Sequence, residues 1–490
     1  MRRHPMLLAY FAALIPALVM AITQPVWSLV DEAQHTDFIA QLSHGVYPIA
    51  DRTPIDPETL RVSESAGVFR AFYPPGSYPT PDLTDVGLPP PGMSDSANAV
   101  WMMRHLWQLS HESVQTPAYY VAMAPVWWVA DRLGGPFAAI YALRLINALI
   151  IATLAPMAVI VARILIPARP EVAVLAALLA ILLPGLDLNG TRVSNDALAA
   201  ALGGLLVLLA VLWAGSAWTW RRAVVIGLLL GLGLMVKLTI AGLFPALVVS
   251  ALWPVPGTTW RGRMTRVAVA GAIAVVCLGP WLLLNLHNYA GLTPGARGAR
   301  LSDAAPGPLT AAFIPLDVAV FELTYWTGEP WGALPLAGPF AVLGGLIALA
   351  VPAGLIKLLR TRPLAASAGP LAVVIVAIGA MVGVTLLLPA GGGFEFVGPG
   401  RYAYPALPAA AALCAIGIVT VLTRAFAQKV VGTVYGVMAV AILAAGAAGF
   451  PLAPGAGTGA PPRTANVVDV TASGEFHGLT INIDRVALDP

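Results

Sequence analysis

Two adjacent carboxylates, Asp31 and Glu32, directly follow an apolar N-terminal run, and His35 stands three residues further on. A carboxylate held beside apolar surface is poorly solvated as an anion, which raises its basicity. Asp31 or Glu32 is therefore suited to take a proton from an attacking hydroxyl as a general base. The same pair would also serve as a solvated helix end. His35, and His111 with Glu112, offer groups for a polar ligand or metal, although isolated loop histidines are commonly just solvated, and no metal site is indicated. Asn195 and Asp196 offer hydrogen-bonding groups for a ligand and equally suit the cap of a helix beginning near Ala197. Glu322, Tyr325, Trp326, Glu329 and Trp331 read as an aromatic platform or as an interfacial belt. The Gly391 to Gly393 run lacks the strand and helix that a phosphate loop needs.

Composition restricts the frame that positions these groups. Of 490 residues, 58% are hydrophobic and only 10% charged, with a mean hydropathy of +0.80, whereas a soluble domain carries about 25% charged residues. The pattern predicts an all-α polytopic membrane protein with about 11 transmembrane helices and a juxtamembrane helix. The first spans Met6 to Val30. Its Val19, Met20 and Ala21 have the character of a signal-peptidase site, but the apolar run continues to Val30 and is expected to stay as an anchor. The others are Tyr141 to Val161, Val172 to Leu186, Ala197 to Ala217, Ala223 to Val236, Leu238 to Trp253, Val267 to Leu286, Leu334 to Leu355, Ala368 to Leu388, Tyr402 to Leu422 and Val430 to Phe450. Lys237 inside one long apolar stretch would be costly in lipid, so two short helices are expected to meet there. The organisation is then a first helix (1–30), a large loop with juxtamembrane helices (31–140), helices (141–287), a second loop (288–332), helices (333–450) and a tail (451–490). Alternation over Val467 to Val470 and Leu479 to Ile483 predicts a small β element in that tail.

Basic residues gather in alternate connections, as the positive-inside rule requires. With a cytoplasmic N-terminus, the inner set is Arg2, Arg3, Arg163, Arg169, Arg221, Arg222, Arg261, Arg263, Arg266, Lys357, Arg360, Arg362, Arg424 and Lys429. The short outer connections hold only Arg192, Lys237 and Arg401. The alternation requires Ala118 to Ala130, which contains Pro125, to lie at the interface rather than cross. A multi-pass plasma (inner) membrane protein with its acids and its tail outside the cytoplasm is expected. A net charge of +3 without a basic patch speaks against nucleic acid. Cys277 and Cys414 both sit in apolar runs and suggest neither a disulfide nor a metal site.

The order of short motifs resembles the GT-C class of membrane glycosyltransferases, including the protein mannosyltransferase and aminoarabinose transferase-like group and related DUF2142-type membrane proteins. The Asp31-Glu32 pair followed by His35 matches the class after its first helix. Gln115-Thr116-Pro117-Ala118-Tyr119-Tyr120 resembles its Gln/Lys-Pro-Pro-Leu-Tyr-Tyr segment, with Thr116 and Ala118 departing from it. Arg144-Leu145, Ser194-Asn195-Asp196, Gly231 to Lys237, Pro280-Trp281 with Asn285, and Gly400-Arg401-Tyr402 with Pro405 follow in the expected order. The resemblance implies transfer of a sugar from a polyprenyl-phosphate donor to an extracytoplasmic glycan, lipid or protein acceptor, with inversion and with no cofactor. It implies Asp31 and Glu32 as catalytic acids and Lys237, Arg401 and Arg144 as donor-phosphate ligands, since cations must hold the departing charge. It also implies His35, Gln115, Tyr119, Tyr120, Asn195, Asp196 and Glu395 as substrate-binding. A secondary transporter or flippase is the alternative. A transporter would place its ionisable residues near the bilayer midplane on repeated broken helices, whereas here they cluster at helix ends.

Overall fold

The computed structural model describes residues 4–66 except 25, 28–30 and 51; residues 109–292 except 111, 182 and 290; residues 368–387 and 400–421; short pieces between 321 and 356; residues 429 and 433; and four strands between 466 and 488. Helix α1 (Pro5–Thr23) opens on a proline, whose missing N–H costs nothing in a first turn. Ala9, Ala13, Ala17 and Ala21 make one buried stripe, and small residues at this spacing let helices approach closely without hydrophobic help from water. Leu7, Leu8, Phe11 and Ile15 point outward and are exposed, as a lipid-facing surface requires. Two short helices follow, α2 (Glu32–Ser43) and α3 (Pro57–Ser65), then a 3-10 turn at Glu112–Val114.

Helix α4 (Ala118–Ile151) is interrupted at Gly135, with φ 77° and ψ 179°, a backbone conformation that is essentially restricted to glycine. Pro136 restarts the helix, and α5 (Leu154–Leu165) continues it beyond a short break. Ala118 to Ala130 and Tyr141 to Val161, read as an interfacial helix and a separate span, lie on the two sides of this break. One apolar unit of 48 residues, Ala118–Leu165, is hinged at Gly135, and its second arm starts at Pro136 rather than Tyr141. Helices α6 (Pro170–Ile181) and α7 (Pro184–Thr191) are bent by 51° to each other. Next come α8 (Asp196–Trp213), α9 (Trp220–Val236), a 3-10 segment (Leu238–Leu243) and α10 (Phe244–Leu252). Lys237 lies between α9 and the 3-10 segment in extended conformation, φ −159° and ψ 125°, so the helix breaks at the buried cation as the sequence indicates. Then follow α11 (Trp260–Tyr289), α12 (Ala368–Leu387), a 3-10 segment (Gly400–Ala406) and α13 (Leu407–Val421).

Among the described residues six helices are long and apolar enough to cross a membrane, or seven if the bent α6–α7 pair counts as one. The chain is thus a helical integral membrane protein. The expected spans Leu334 to Leu355 and Val430 to Phe450 fall largely outside the described residues. In the tail, β1 (Asn466–Val468) pairs antiparallel with β4 (Val486–Leu488), and β2 (Ala472–Phe476) with β3 (Leu479–Ile483), Phe476 opposite Leu479.

The interior of the bundle is mostly Ala, Val, Leu and Ile, and its buried polar groups are concentrated where several helix termini meet. The segment after α1, the start of α8, the break after α9 and the 3-10 segment before α13 all contribute charged side chains to one cluster. Helices α1 and α9 run toward this end of the bundle, and α8 and α13 run away from it.

Candidate active site

Four charged side chains, distant in the chain, form a continuous line. Asp31 Oδ2 lies 3.5 Å from Arg401 Nη2. Arg401 Nε lies 3.5 Å from Asp196 Oδ2, and Lys237 Nζ donates to Asp196 Oδ1. The Tyr402 ring sits beneath both cations, 4.6 Å from Lys237 Nζ and 5.6 Å from the Arg401 guanidinium carbon, an arrangement that favours cations out of water. Asp31 is the open end of the line: its side chain is 43% exposed, against 10% or less for the other three.

Local structure explains these positions. Asp31 adopts left-handed φ 58° and ψ −8° at the start of α2, a region that Asp tolerates better than most residues. Asp196 occupies the first turn of α8, where the helix dipole favours an anion. Arg401 follows Gly400, whose N–H donates to Thr324 Oγ1 at 2.7 Å. A Cβ on Gly400 would come within 2.5 Å of the Phe321 carbonyl oxygen and the Tyr325 nitrogen, so only glycine lets this segment dock. Tyr404 adds a bond from its hydroxyl to the Tyr325 carbonyl, at 2.9 Å.

Glu32 and Arg144 occupy a different place from the one expected. Both are fully buried and form a bidentate pair, Arg144 Nε to Glu32 Oε1 at 2.7 Å and Nη2 to Oε2 at 2.6 Å. Glu32 Oε1 also accepts the Val193 N–H at 2.9 Å, and Arg144 Nη1 donates to the Gln24 carbonyl at 2.8 Å. Both carboxylate oxygens are thus engaged by buried donors. Arg144 is likewise sealed inside. Together they tie the end of α1 and the start of α2 to α4 and to the segment before α8, and so hold Asp31 in place.

Tyr119 and Tyr120, expected to touch substrate, are also enclosed. The Tyr119 hydroxyl exchanges bonds with the Asn147 amide at 3.0 and 3.3 Å, and Asn147 fixes the Arg192 carbonyl at 2.7 Å. Tyr120 stacks on Phe38, with ring centroids 4.2 Å apart, and its hydroxyl shares a 2.7 Å hydrogen bond with His35 Nδ1. Burial lowers the His35 pKa to about 4, so the ring is neutral at pH 7. Asn195 does not cap α8 with its side chain. Its Nδ2 donates to the Val236 carbonyl at 3.0 Å and approaches Gln115 Oε1 at 3.5 Å, locking the start of α8 to the end of α9. Glu395 lies outside the described residues, as does His111.

Glu112 and Tyr402 play larger parts than their sequence positions indicated. Tyr402 was legible only as the neighbour of Arg401. Glu112 is buried beside His35, at 3.6 Å from Nδ1. Its pKa is pushed up to about 8 by burial and then by the Asp31 charge, against the pull of Lys237, Arg401 and a Gln115 hydrogen bond. It is a neutral acid facing a neutral imidazole at pH 7, and the contact with His35 is therefore no ion pair. Among the described residues, no three His, Cys, Asp or Glu side chains are grouped to hold a metal ion.

Neither protein-family models nor curated proteins match this chain. Solved structures do. ArnT from Cupriavidus metallidurans, bound to undecaprenyl phosphate, aligns at 15% identity over 89% of this chain and 64% of that one, with a TM-score of 0.49. The oligosaccharyltransferase of Archaeoglobus fulgidus in its apo form aligns at 14% identity over 92% of this chain and 55% of that one, with a TM-score of 0.46. The oligosaccharyltransferase AglB of the same organism, in complex with an inhibitory peptide and a dolichol-phosphate, gives 14% identity, the same coverage and a TM-score of 0.45. The chain thus spans between about half and two thirds of the length of the structures it matches.

Proposed function

We propose that this chain is an inverting glycosyltransferase of the GT-C type, moving a sugar from a polyprenyl-phosphate donor to a hydroxyl of a glycan, lipid or protein acceptor outside the cytoplasm. The observation that carries the proposal is the meeting of Asp31, Arg401, Asp196 and Lys237 at one end of an apolar bundle. A carboxylate open to solvent lies against the buried Arg401, which Asp196 links to the buried Lys237, at the end of helices that a lipid tail can run beside. Asp31 accepts the proton of the acceptor as the acceptor atom attacks the anomeric carbon. The bond between that carbon and the phosphate oxygen breaks, and its electron pair leaves on the polyprenyl phosphate. Arg401 and Lys237 hold the charge that develops there, in a poorly solvated site where fixed cations act strongly. The Arg401 contacts to Asp31 and Asp196, both at 3.5 Å, are longer than the 2.7–2.9 Å of strong charge-assisted bonds. Glu32, Arg144, Tyr119 and Tyr120 take supporting roles in this reading.

The test is transfer by purified protein from radiolabelled polyprenyl-phosphate sugars to cell-envelope acceptors. Wild type is expected to transfer, and Arg401→Gln to lose about 100- to 1,000-fold in rate, the cost typical of removing one donor to a developing anion. Unchanged transfer by a folded Arg401→Gln protein would remove that arginine from the chemistry.

A further inference from the structure

Behind Asp31 the site contains buried polar atoms that nothing in the charged line uses. Glu112 Oε2 and Asn195 Oδ1 are each closed to solvent and have no hydrogen-bond partner among the described residues. Their side chains come from separate elements, the 3-10 turn before α4 and the start of α8, and Gln115 connects them. Its Oε1 lies 3.5 Å from Asn195 Nδ2, and its backbone N–H donates to the Glu112 carbonyl at 2.9 Å. Leaving a buried acceptor unsatisfied costs the full desolvation of the group, and two such atoms beside one reactive cluster call for a ligand that satisfies them.

Resting on the transfer reading above, we propose that Glu112 and Asn195 form a hydroxyl-binding subsite that selects a polyhydroxylated ring as the donated sugar and orients it toward Asp31. A sugar hydroxyl both donates and accepts, so it can serve each of these oxygens. His35 holds the same wall through its bond to Tyr120 and approaches Glu112 at 3.6 Å. Burial and the neighbouring Asp31 keep Glu112 protonated up to about pH 8, so it binds a hydroxyl without adding negative charge where the phosphate must also sit. The subsite thereby separates two tasks: cations for the lipid phosphate, and neutral polar groups for the sugar.

The experiment compares kcat/KM for a full polyprenyl-phosphate sugar with that for analogues lacking one ring hydroxyl at a time, in wild type, Glu112→Ala and Glu112→Gln. Wild type is expected to disfavour at least one deoxy donor by about 10- to 100-fold, as sites built to bond a hydroxyl do. Glu112→Ala is expected to lose a similar factor with the full sugar and almost nothing further with the matching deoxy donor. Glu112→Gln, which keeps volume and a hydrogen-bonding head, should retain most of the activity. Equal losses by Glu112→Ala on every donor, or no loss on any, would overturn the subsite while leaving transfer intact. Should Glu112→Ala not fold, Asn195→Ala decides by the same two-donor comparison. A folded wild type that transfers no polyprenyl-phosphate sugar would instead overturn the underlying transfer reading.

Discussion

Asp31 and Glu32 are neighbours with opposite fates: Glu32 is the first helical residue of α2 and enters the protein, while Asp31, in left-handed backbone just before it, faces the charged line. Chemistry alone cannot choose between them from sequence, because the choice depends on where Arg144 lies. Arg144 in turn read as an outer helix end, whereas its helical arm begins at Pro136 and carries it inside. Removing one member of a buried pair strands the other, at a cost of about 3–5 kcal/mol. Arg144→Met should therefore lower stability strongly in detergent unfolding titrations, and adding Glu32→Gln should recover part of the loss. A double variant no better than Arg144→Met would contradict a pairwise role. Glu112 gives a second expectation at this scale. Its folded pKa of about 8 is raised from an ordinary 4.5, so the folded state binds the extra proton and stability declines as pH rises through that interval. His35, lowered to about 4 from 6.5, acts in the opposite sense below pH 6.5, and Asp37, raised to about 6 by burial, has largely finished titrating by then. Of these three, Glu112 alone remains to titrate between about pH 6.5 and 8. Thermal unfolding across that window should show a decline that Glu112→Gln flattens.

Among the elements, the break at Lys237 was the most legible, because a cation inside an apolar stretch has few inexpensive solutions. The structure ends α9 at Val236 and places the lysine in extended backbone. The hinge of α4 was less so: Asp131, Arg132, Gly135 and Pro136 mark a break, yet composition does not fix the angle at which the two arms meet. The Gly400–Ala406 segment was read as the edge of a span and is a 3-10 turn that aims Arg401. Its docking depends on the absence of a side chain at Gly400. Gly400→Ala should push the segment off Phe321 and Tyr325, reducing transfer by about tenfold or more, as small misplacements at an active site do. Its stability should fall by no more than the roughly 0.5–3 kcal/mol of an ordinary substitution. An alanine variant with unaltered transfer would show that Arg401 is placed by other contacts.

For the whole molecule, hydropathy identified a helical membrane protein, and the described residues carry six or seven of the expected crossings. Charge alternation put Asp31, Lys237 and Arg401 on one side, and they meet in one cluster. What sequence could not supply was depth, since residues equally polar on paper divide into a sealed set, Glu32, Arg144, Tyr119 and Tyr120, and a charged set that opens to solvent at Asp31. That division depends on how helices far apart in the chain pack. The central claim is that Asp31 removes the acceptor proton next to cations that bind the lipid phosphate. The most direct measurement is the single-turnover rate of Asp31→Asn at saturating donor, an isosteric change that also tolerates the left-handed backbone at this position. A fall of about 100- to 10,000-fold is expected, the range for loss of a general base, with affinity for polyprenyl phosphate kept or increased because Arg401 loses a competing anion. A folded Asp31→Asn protein that transfers sugar at the wild-type rate would contradict it.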